Sequence, residues 1–223
     1  YAGGMTASPF DQSRYQLRFD WGRDGLTRLA PADVVVVVDV LRFSSTVSAR
    51  VAGGETVAHD EAAHAVSRNG AAVASAAAAT GAVVFLGSLR NATAVAQAVL
   101  AEQNRRAART SVSIIAAGEL NGPGDAAVLR FSVEDQLGAG AVFAALEAIG
   151  LDHSSPEAAA ASEAFRGLRS AVRHLLTASG SGQELLDAGR RDEVLAAAVH
   201  DADETVPVLR DGVWRAYEAI NAE

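Results

Sequence analysis

The sequence predicts an α/β fold in which a mainly parallel sheet is flanked by helices and followed by a helical C-terminal portion. Residues 33–38 form a nearly unbroken run of valine, as a central parallel strand that is buried on both faces requires. Two further apolar runs, at 82–86 and 112–116, are each followed by a turn and a helical segment. Strands and helices therefore alternate, which is typical of a parallel sheet whose ligands gather at the carboxyl ends of the strands.

The elements after each strand are predicted helices, at 46–51, 92–106 and 134–149. Further on, Ser155 and Pro156 are typical of an N-cap and first turn, and they predict a long helix to about residue 176. Residues 179–182 break it, shorter helices follow at 184–188 and 192–199, and 206–209 meets an Asp211-Gly212 turn.

We therefore divide the chain into an α/β core at 5–150 and a helical portion at 151–223. The helical portion is expected to pack on the core as a cap or dimerisation layer, and a homodimer is one expectation. Residues 1–4, ahead of Met5, are typical of an expression-tag remnant.

Composition limits the function classes. The 223 residues are 49% hydrophobic and carry a net charge of -8, so a sizeable core is expected and general binding to nucleic acid or membrane surfaces is not. All basic residues are arginine, which excludes Schiff-base chemistry and the usual P-loop, because both need lysine. The absence of cysteine, of a signal peptide and of a membrane-spanning run predicts a cytoplasmic protein.

The segment that leaves the first buried strand concentrates polar groups. Asp39 can bind a divalent cation, Arg42 can clamp a phosphate, and Ser44, Ser45 and Thr46 with the amides of a helix start suit an oxyanion. The alternative is structural: Asp39 binds neighbouring amides, a serine caps the helix, and Arg42 forms a surface ion pair.

The same stretch, VVVVDVLRFSST at 35–46, resembles the strand and following loop of 2-phosphosulfolactate phosphatases. Segments 87–92, 116–119 and 131–140 are also similar to that family. The resemblance covers roughly residues 15–150, with weaker similarity through the C-terminal helices and residues 206–211. It implies a magnesium-dependent hydrolase of a phosphate ester on a small sulfonated acid, a step in coenzyme M synthesis. The implied substrate is 2-phosphosulfolactate or a related phosphorylated acid.

Three more carboxylates are candidates for the same site. Glu119 follows the third strand, and Glu134 with Asp135 stands near a helix start, so they are predicted to join Asp39 around Mg²⁺. For the pair, the alternative is a capping box that begins at Ser132.

Other candidates are substrate contacts. Arg90 and Asn91 follow the second strand, where Asn91 contacts substrate or caps a helix and Arg90 binds an acid group or lies exposed. Asn69 and Gly70 match the end of a family motif, whereas the preceding strand and GNSP-like loop of relatives are missing. The explanation is either a true deletion or an omission of residues. We favour omission, with a chain break near residues 58–68, because a true deletion would remove a core strand as well as a phosphate-contacting loop.

The resulting hypothesis is hydrolysis by direct attack of water. The alternative is a covalent aspartyl-phosphate at Asp39, which is less favoured because Leu41 stands where the haloacid dehalogenase pattern has a second Asp. Asp39 and Glu119 hold the metal, and Arg42 with the helix-start amides binds the phosphoryl oxygens. The rival is a catalytically inactive α/β module that binds an anionic metabolite or a protein partner at the same place.

Overall fold

The computed structural model describes residues 8–60, 69–122 and 127–219. Its strands are β1 (Leu17–Trp21), β2 (Val34–Val38), β3 (Val57–Ala58), β4 (Val83–Gly87), β5 (Val112–Ala116), β6 (Glu119–Asn121), β7 (Val128–Arg130), β8 (Pro207–Arg210) and β9 (Val213–Ala216). Its helices are α1 (Gly22–Arg28), α2 (Phe43–Ala52), α3 (Gly70–Ala78), α4 (Ala92–Arg106), α5 (Val133–Ala148), α6 (Pro156–Leu168), α7 (Val172–Ala178), α8 (Gly180–Asp187) and α9 (Arg191–Ala197).

The main sheet has seven strands in the order β1-β5-β2-β4-β8-β9-β3. The first four are parallel to one another, and β8, β9 and β3 continue the sheet by antiparallel pairing. In the centre, Val34 is paired with Val112 on one side and Val83 on the other. The predicted α/β class and the mainly parallel sheet are confirmed.

The valine run of β2 explains how the sheet is buried. All five valines are buried, and successive side chains point to opposite faces, as in any strand. Val34, Val36 and Val38 pack in a core with α4, α5 and α6, while Val35 and Val37 pack in a second core with α2 and α3. The helices thus cover both faces, which leaves the carboxyl ends of the parallel strands as the place for a site.

The C-terminal portion differs from the prediction in its long helix and in its strands. The expected long helix is interrupted, because α6 ends at Leu168 and a 3-10 turn at Arg169–Ala171 precedes α7. Gly167, a weak helix former, lies in the last turn of α6. In addition, this portion is not only helical, since β8 and β9 extend the main sheet beyond β4.

The helix after the break begins earlier than predicted. Ser179 is its N-cap, and the Ser179 hydroxyl accepts a hydrogen bond of 3.1 Å from the Gly182 amide. A Cβ on Gly182 would lie 1.8 Å from the carbonyl oxygen of Leu176, so glycine permits this tight corner between α7 and α8. As a result α8 starts at Gly180, and its first turn enters the site described below.

Within residues 8–60, 69–122 and 127–219, every helix falls short of the length and apolar character that crossing a bilayer requires.

Candidate active site

A cavity of about 530 Å³ lies at the carboxyl ends of β2 and β5. Its acidic lining residues come from four segments of the chain: Asp39 after β2, Glu119 at the start of β6, Glu134 and Asp135 in α5, and Glu184 in α8. Arg42 and Asn69 line the same cavity. The structure therefore brings together the four predicted carboxylates and the predicted arginine.

Asp39 is held in place by its neighbours. Its carboxylate accepts hydrogen bonds from the amides of Phe43 and Gly70, each at 3.1 Å, and its own amide donates to the Ser44 hydroxyl at 3.0 Å. The Ser44 hydroxyl in turn donates to the Val37 carbonyl at 3.2 Å. Ser44 is thus a buried clamp on the loop, and the first amide of α2 is engaged by Asp39 itself.

Asp135 joins the ends of two strands. Its carboxylate accepts hydrogen bonds from the amide of Val40 at 2.7 Å and from the amide of Gly118 at 2.9 Å. Burial raises the pKa of Asp135 well above its ordinary value, and the charges of Asp39 and Glu134 raise that pKa further. The capping-box alternative does not hold, because Ser132 makes no side-chain cap at the start of α5.

Ser181 connects the other two predicted carboxylates. Its hydroxyl oxygen lies 3.0 Å from Glu119 Oε2 and 2.5 Å from Glu134 Oε1. A serine has one donor hydrogen, and through these two contacts Ser181 holds Glu119 and Glu134 close together. Burial raises the pKa of Glu119, the hydrogen bond from Ser181 opposes that rise, and repulsion from Asp39, Glu184 and Glu134 adds to it.

Sequence reasoning missed Ser181 and Glu184, which line the cavity from α8. The only local signal was the Gly-Ser-Gly sequence at 180–182, which predicted a break in a helix. Their approach to Glu119 depends on the tertiary position of α8.

Asn69 and Gly70 also lie at the site. The Asn69 side-chain amide donates to the Gly118 carbonyl at 2.7 Å, and the Gly70 amide donates to Asp39. The predicted break near 58–68 falls largely on residues 61–68, which lie outside the described residues.

The remaining residues that were predicted to contact substrate lie apart from the carboxylates. Ser45, Thr46 and Arg90 line a second cavity of about 370 Å³, which shares Leu41 and Arg42 with the first. The Ser45 hydroxyl donates to the Val40 carbonyl at 2.8 Å, as a structural serine does.

Asn91 is buried and engaged in the backbone around it. Its side-chain oxygen accepts a hydrogen bond from the Ser88 amide at 2.9 Å, and its nitrogen donates to the carbonyls of Leu86 and Thr205 at 3.2 and 3.3 Å. Asn91 and Ser44 are absent from the residues that line either cavity. Asn91 therefore has a structural role, but it makes no side-chain cap on α4 as the alternative expected. With Ser88 it forms the capping box of the 3-10 turn at Leu89–Asn91.

The chemistry of the first cavity fits a hard cation. Five carboxylates and one guanidinium line it, so a phosphate dianion would be repelled unless positive charge were added. Among the described residues, no three His, Cys, Asp or Glu side chains form a metal-binding group. Magnesium is commonly held by only one or two protein carboxylates, with waters and substrate phosphate as its other ligands. The oxygen donors present suit that mode of binding.

The family comparison covers both parts of the fold. The sequence model of 2-phosphosulpholactate phosphatase matches residues 54–212, which is more than half of the chain and includes Glu119, Glu134, Asp135 and Ser181. The match begins after Asp39 and Arg42 and extends through the C-terminal portion, where the sequence resemblance was weaker. A search of curated proteins finds no match. The chain belongs to the 2-phosphosulpholactate (2-phosphosulfolactate) phosphatase family, a family of phosphoric monoester hydrolases.

Proposed function

We propose that the protein hydrolyses a small anionic phosphate monoester, 2-phosphosulfolactate or a related phosphorylated acid, with the help of Mg²⁺. The observation that carries the proposal is the convergence of Asp39, Glu119, Glu134 and Arg42 in one cavity at the strand ends. An acidic lining beside a single guanidinium suits a site that must take up a cation before it can take up a phosphate.

Asp39, Glu119 and Glu134 are the residues that would hold the metal. Both Asp39 oxygens accept an amide hydrogen bond, and these bonds hold the carboxylate in the lining of the cavity. When bound, Mg²⁺ supplies positive charge that stabilises the phosphoryl oxygens and lowers the pKa of coordinated water. Asp135 is better suited to positioning, since each of its oxygens already ties a strand end to α5.

Arg42 binds the phosphoryl oxygens in this proposal. Its side chain is 24% exposed and lines the cavity from the loop between β2 and α2. A guanidinium pairs with phosphate through parallel hydrogen bonds and remains charged at every relevant pH. Arg42 would therefore fix the ester and oppose the charge that develops as the bond to the leaving oxygen breaks.

A carboxylate beside the metal would position the attacking water and accept its proton. Ser181 orients Glu119 and Glu134 through contacts of 3.0 and 2.5 Å. Two backbone amides bind the Asp39 carboxylate and hold it in place. This arrangement favours attack by water over attack by Asp39 itself.

The test is phosphate release from a panel of small phosphate esters, with and without magnesium. Asp39→Asn keeps the shape of the side chain, and we expect it to lower the rate by about 100-fold or more, as loss of a central electrostatic group does. Asp152→Asn, at an exposed position, is the control and should leave the rate unchanged. Turnover that responds to neither magnesium nor Asp39→Asn contradicts the proposal, and anion binding without turnover supports the inactive-module alternative.

The metabolic pathway that we propose follows from the family. Its reaction is a step in coenzyme M synthesis, and a cytoplasmic location is compatible with a chain that contains no cysteine.

A further inference from the structure

The second cavity is lined by arginine instead of carboxylate. Its charged lining residues are Arg42, Arg50, Arg90 and Arg190, with Glu193 as the one acidic residue among those that line it. Its walls are the loop after β2, the exposed side of α2, and α9 from the C-terminal portion. Two adjoining cavities therefore have opposite charge, and Arg42 belongs to both.

Two of the four arginines have acidic partners outside the cavity lining. Arg50 pairs with Glu55 at 2.8 Å, and Arg90 makes two hydrogen bonds of 2.8 Å to Asp203. Arg90 also donates to the Ala196 carbonyl. These pairs fix the two side chains in place, and the guanidinium groups still add positive charge to the cavity.

The other two arginines meet at Glu193. Arg190 binds the Glu193 carboxylate through Nε at 2.7 Å and Nη2 at 2.9 Å, whereas Arg42 Nη1 lies 3.4 Å from the same group. The Glu193 side chain is 42% exposed, and exposed ion pairs contribute little to stability. The Glu193 carboxylate thus already lies between the guanidinium groups of Arg42 and Arg190. A ligand oxyanion can bind beside this carboxylate or displace it at small cost.

We propose that this arginine cavity binds the second acidic group, a carboxylate or a sulfonate, of the ester whose phosphoryl group lies in the carboxylate cavity. The inference rests on the proposed function. Guanidinium groups bind planar and tetrahedral oxyanions through paired hydrogen bonds, and Arg42 stands between the two cavities. Arg190 is then a specificity residue that selects the phosphorylated acids of the proposed function over esters of neutral alcohols.

Binding without turnover tests the cavity directly. Sulfoacetate, which has two acid groups and no phosphate, is titrated by calorimetry in the absence of magnesium, when the carboxylate cavity repels it. We expect Arg190→Gln to weaken binding about tenfold, the effect of one charge-assisted contact. Glu193→Gln removes the competing carboxylate and should tighten binding severalfold, a sign that general damage to the fold would not produce.

Arg191→Gln is the matched control, because Arg191 is the next residue, is exposed, and is absent from the cavity lining. It removes the same charge and should leave sulfoacetate affinity unchanged. If Arg190→Gln binds like wild type, or if Glu193→Gln weakens binding, the proposal is overturned.

Kinetics then separate this proposal from the proposed function. The two esters 2-phospholactate and isopropyl phosphate differ by one carboxylate, and Arg190→Gln should lower kcat/KM for the first about tenfold more than for the second. An equal fall for both esters overturns the specificity role. If wild type hydrolyses neither ester, the proposed function fails, and sulfoacetate binding still decides whether the arginine cavity is an acid-binding site.

Discussion

At the scale of single residues, the position of Asp39 depends on a glycine. A Cβ on Gly70 would lie 2.5 Å from Asp39 Oδ2, 2.8 Å from Asp39 Cβ and 2.9 Å from the Phe43 ring. None of these groups can move aside easily, because both residues are buried. Gly70→Ala is expected to lower the free energy of unfolding by about 1–3 kcal/mol, as overpacking does, and to reduce phosphatase activity by displacing Asp39. Urea unfolding and phosphate release measure the two effects.

Gly167→Ala is the matched control for this substitution. Gly167 lies in the last turn of α6, and a Cβ there meets no atom within 4 Å. The change should leave activity intact and stabilise the helix by about 0.5–1 kcal/mol. Equal effects of the two alanines would show that the contact between Gly70 and Asp39 has no special role.

The raised pKa of Glu119 predicts how the stability of the fold depends on pH. The pKa of Glu119 is raised in the folded state by burial and by neighbouring carboxylates. The contribution of Glu119 to the stability of the fold is therefore present below its ordinary pKa of 4.5 and is lost as pH rises through the raised pKa. Without magnesium, Glu119→Gln should therefore gain stability relative to wild type as pH rises from acid to neutral. Thermal unfolding at a series of pH values measures the difference.

The exposed substitution Glu157→Gln controls for loss of one carboxylate charge. A difference between Glu119→Gln and wild type that stays constant or shrinks toward neutral pH would contradict the assignment.

Single residues also show what sequence can reveal about a site. Asp39, Arg42 and Glu119 could be predicted, because each follows a strand whose burial is visible in its apolar run. Ser181 and Arg190 could not, because they reach the site from helices whose approach is set by tertiary packing. Ser44 was predicted as a ligand residue, yet its hydroxyl holds the loop by bonding Asp39 and Val37.

At the scale of elements, the clearest predictions were the buried strands. β2, β4 and β5 are apolar on both faces and were predicted within a residue or two, as was α4. β1 was missed because it contains Arg18, whose buried guanidinium donates to the carbonyls of Tyr15 and Ala30 at 3.0 and 2.9 Å. Backbone acceptors that satisfy a buried arginine cannot be read from hydrophobic periodicity.

A partly buried hydrogen bond links Tyr217, which follows β9, to α4. The Tyr217 hydroxyl donates to Glu102 at 3.0 Å, and the Glu102 side chain is 3% exposed. Burial, together with that bond, raises the pKa of Tyr217 to about 12. Tyr217→Phe is expected to lower the free energy of unfolding by about 1 kcal/mol at neutral pH.

The pH dependence of this effect has a definite sign. A raised pKa stabilises the fold below the ordinary value of 10.0, and the contribution is lost as pH rises toward 12. The gap between wild type and Tyr217→Phe should therefore close in alkali, as followed by urea unfolding. The control is Tyr15→Phe, because the Tyr15 ring packs on His153 at a tilted angle and lies away from Glu102. A gap that widens in alkali would exclude the bond to Glu102 as its source.

At the scale of the whole molecule, the C-terminal portion completes both the sheet and the site. β8 pairs with β4, α8 supplies Ser181 and Glu184, and α9 forms a wall of the arginine cavity. The sequence predicted a cap at 151–223 but not its strands, because β8 and β9 are short and gain stability only by pairing with an existing sheet edge. A homodimer stays a prediction.

This arrangement predicts that the core at 5–150 does not fold alone. Removing 151–223 uncovers the edge of β4 and the face of α5 that packs on α6, and exposed edges and apolar faces promote aggregation. The truncated chain should be insoluble or lack cooperative unfolding, whereas a chain of residues 5–219 should unfold cooperatively. A 5–150 fragment with a sharp thermal transition would show that the two portions are independent domains.

The central claim is that acidic side chains from separate strands share a cation, and that Arg42 holds the anion beside it. A crystal structure grown with magnesium and phosphate tests this claim most directly. The account predicts a metal ion at about 2.0–2.1 Å from oxygens of Asp39, Glu119 or Glu134, with phosphate bound to both the ion and Arg42. Magnesium and phosphate bound elsewhere at saturating concentration, with this cavity holding only water, would contradict it.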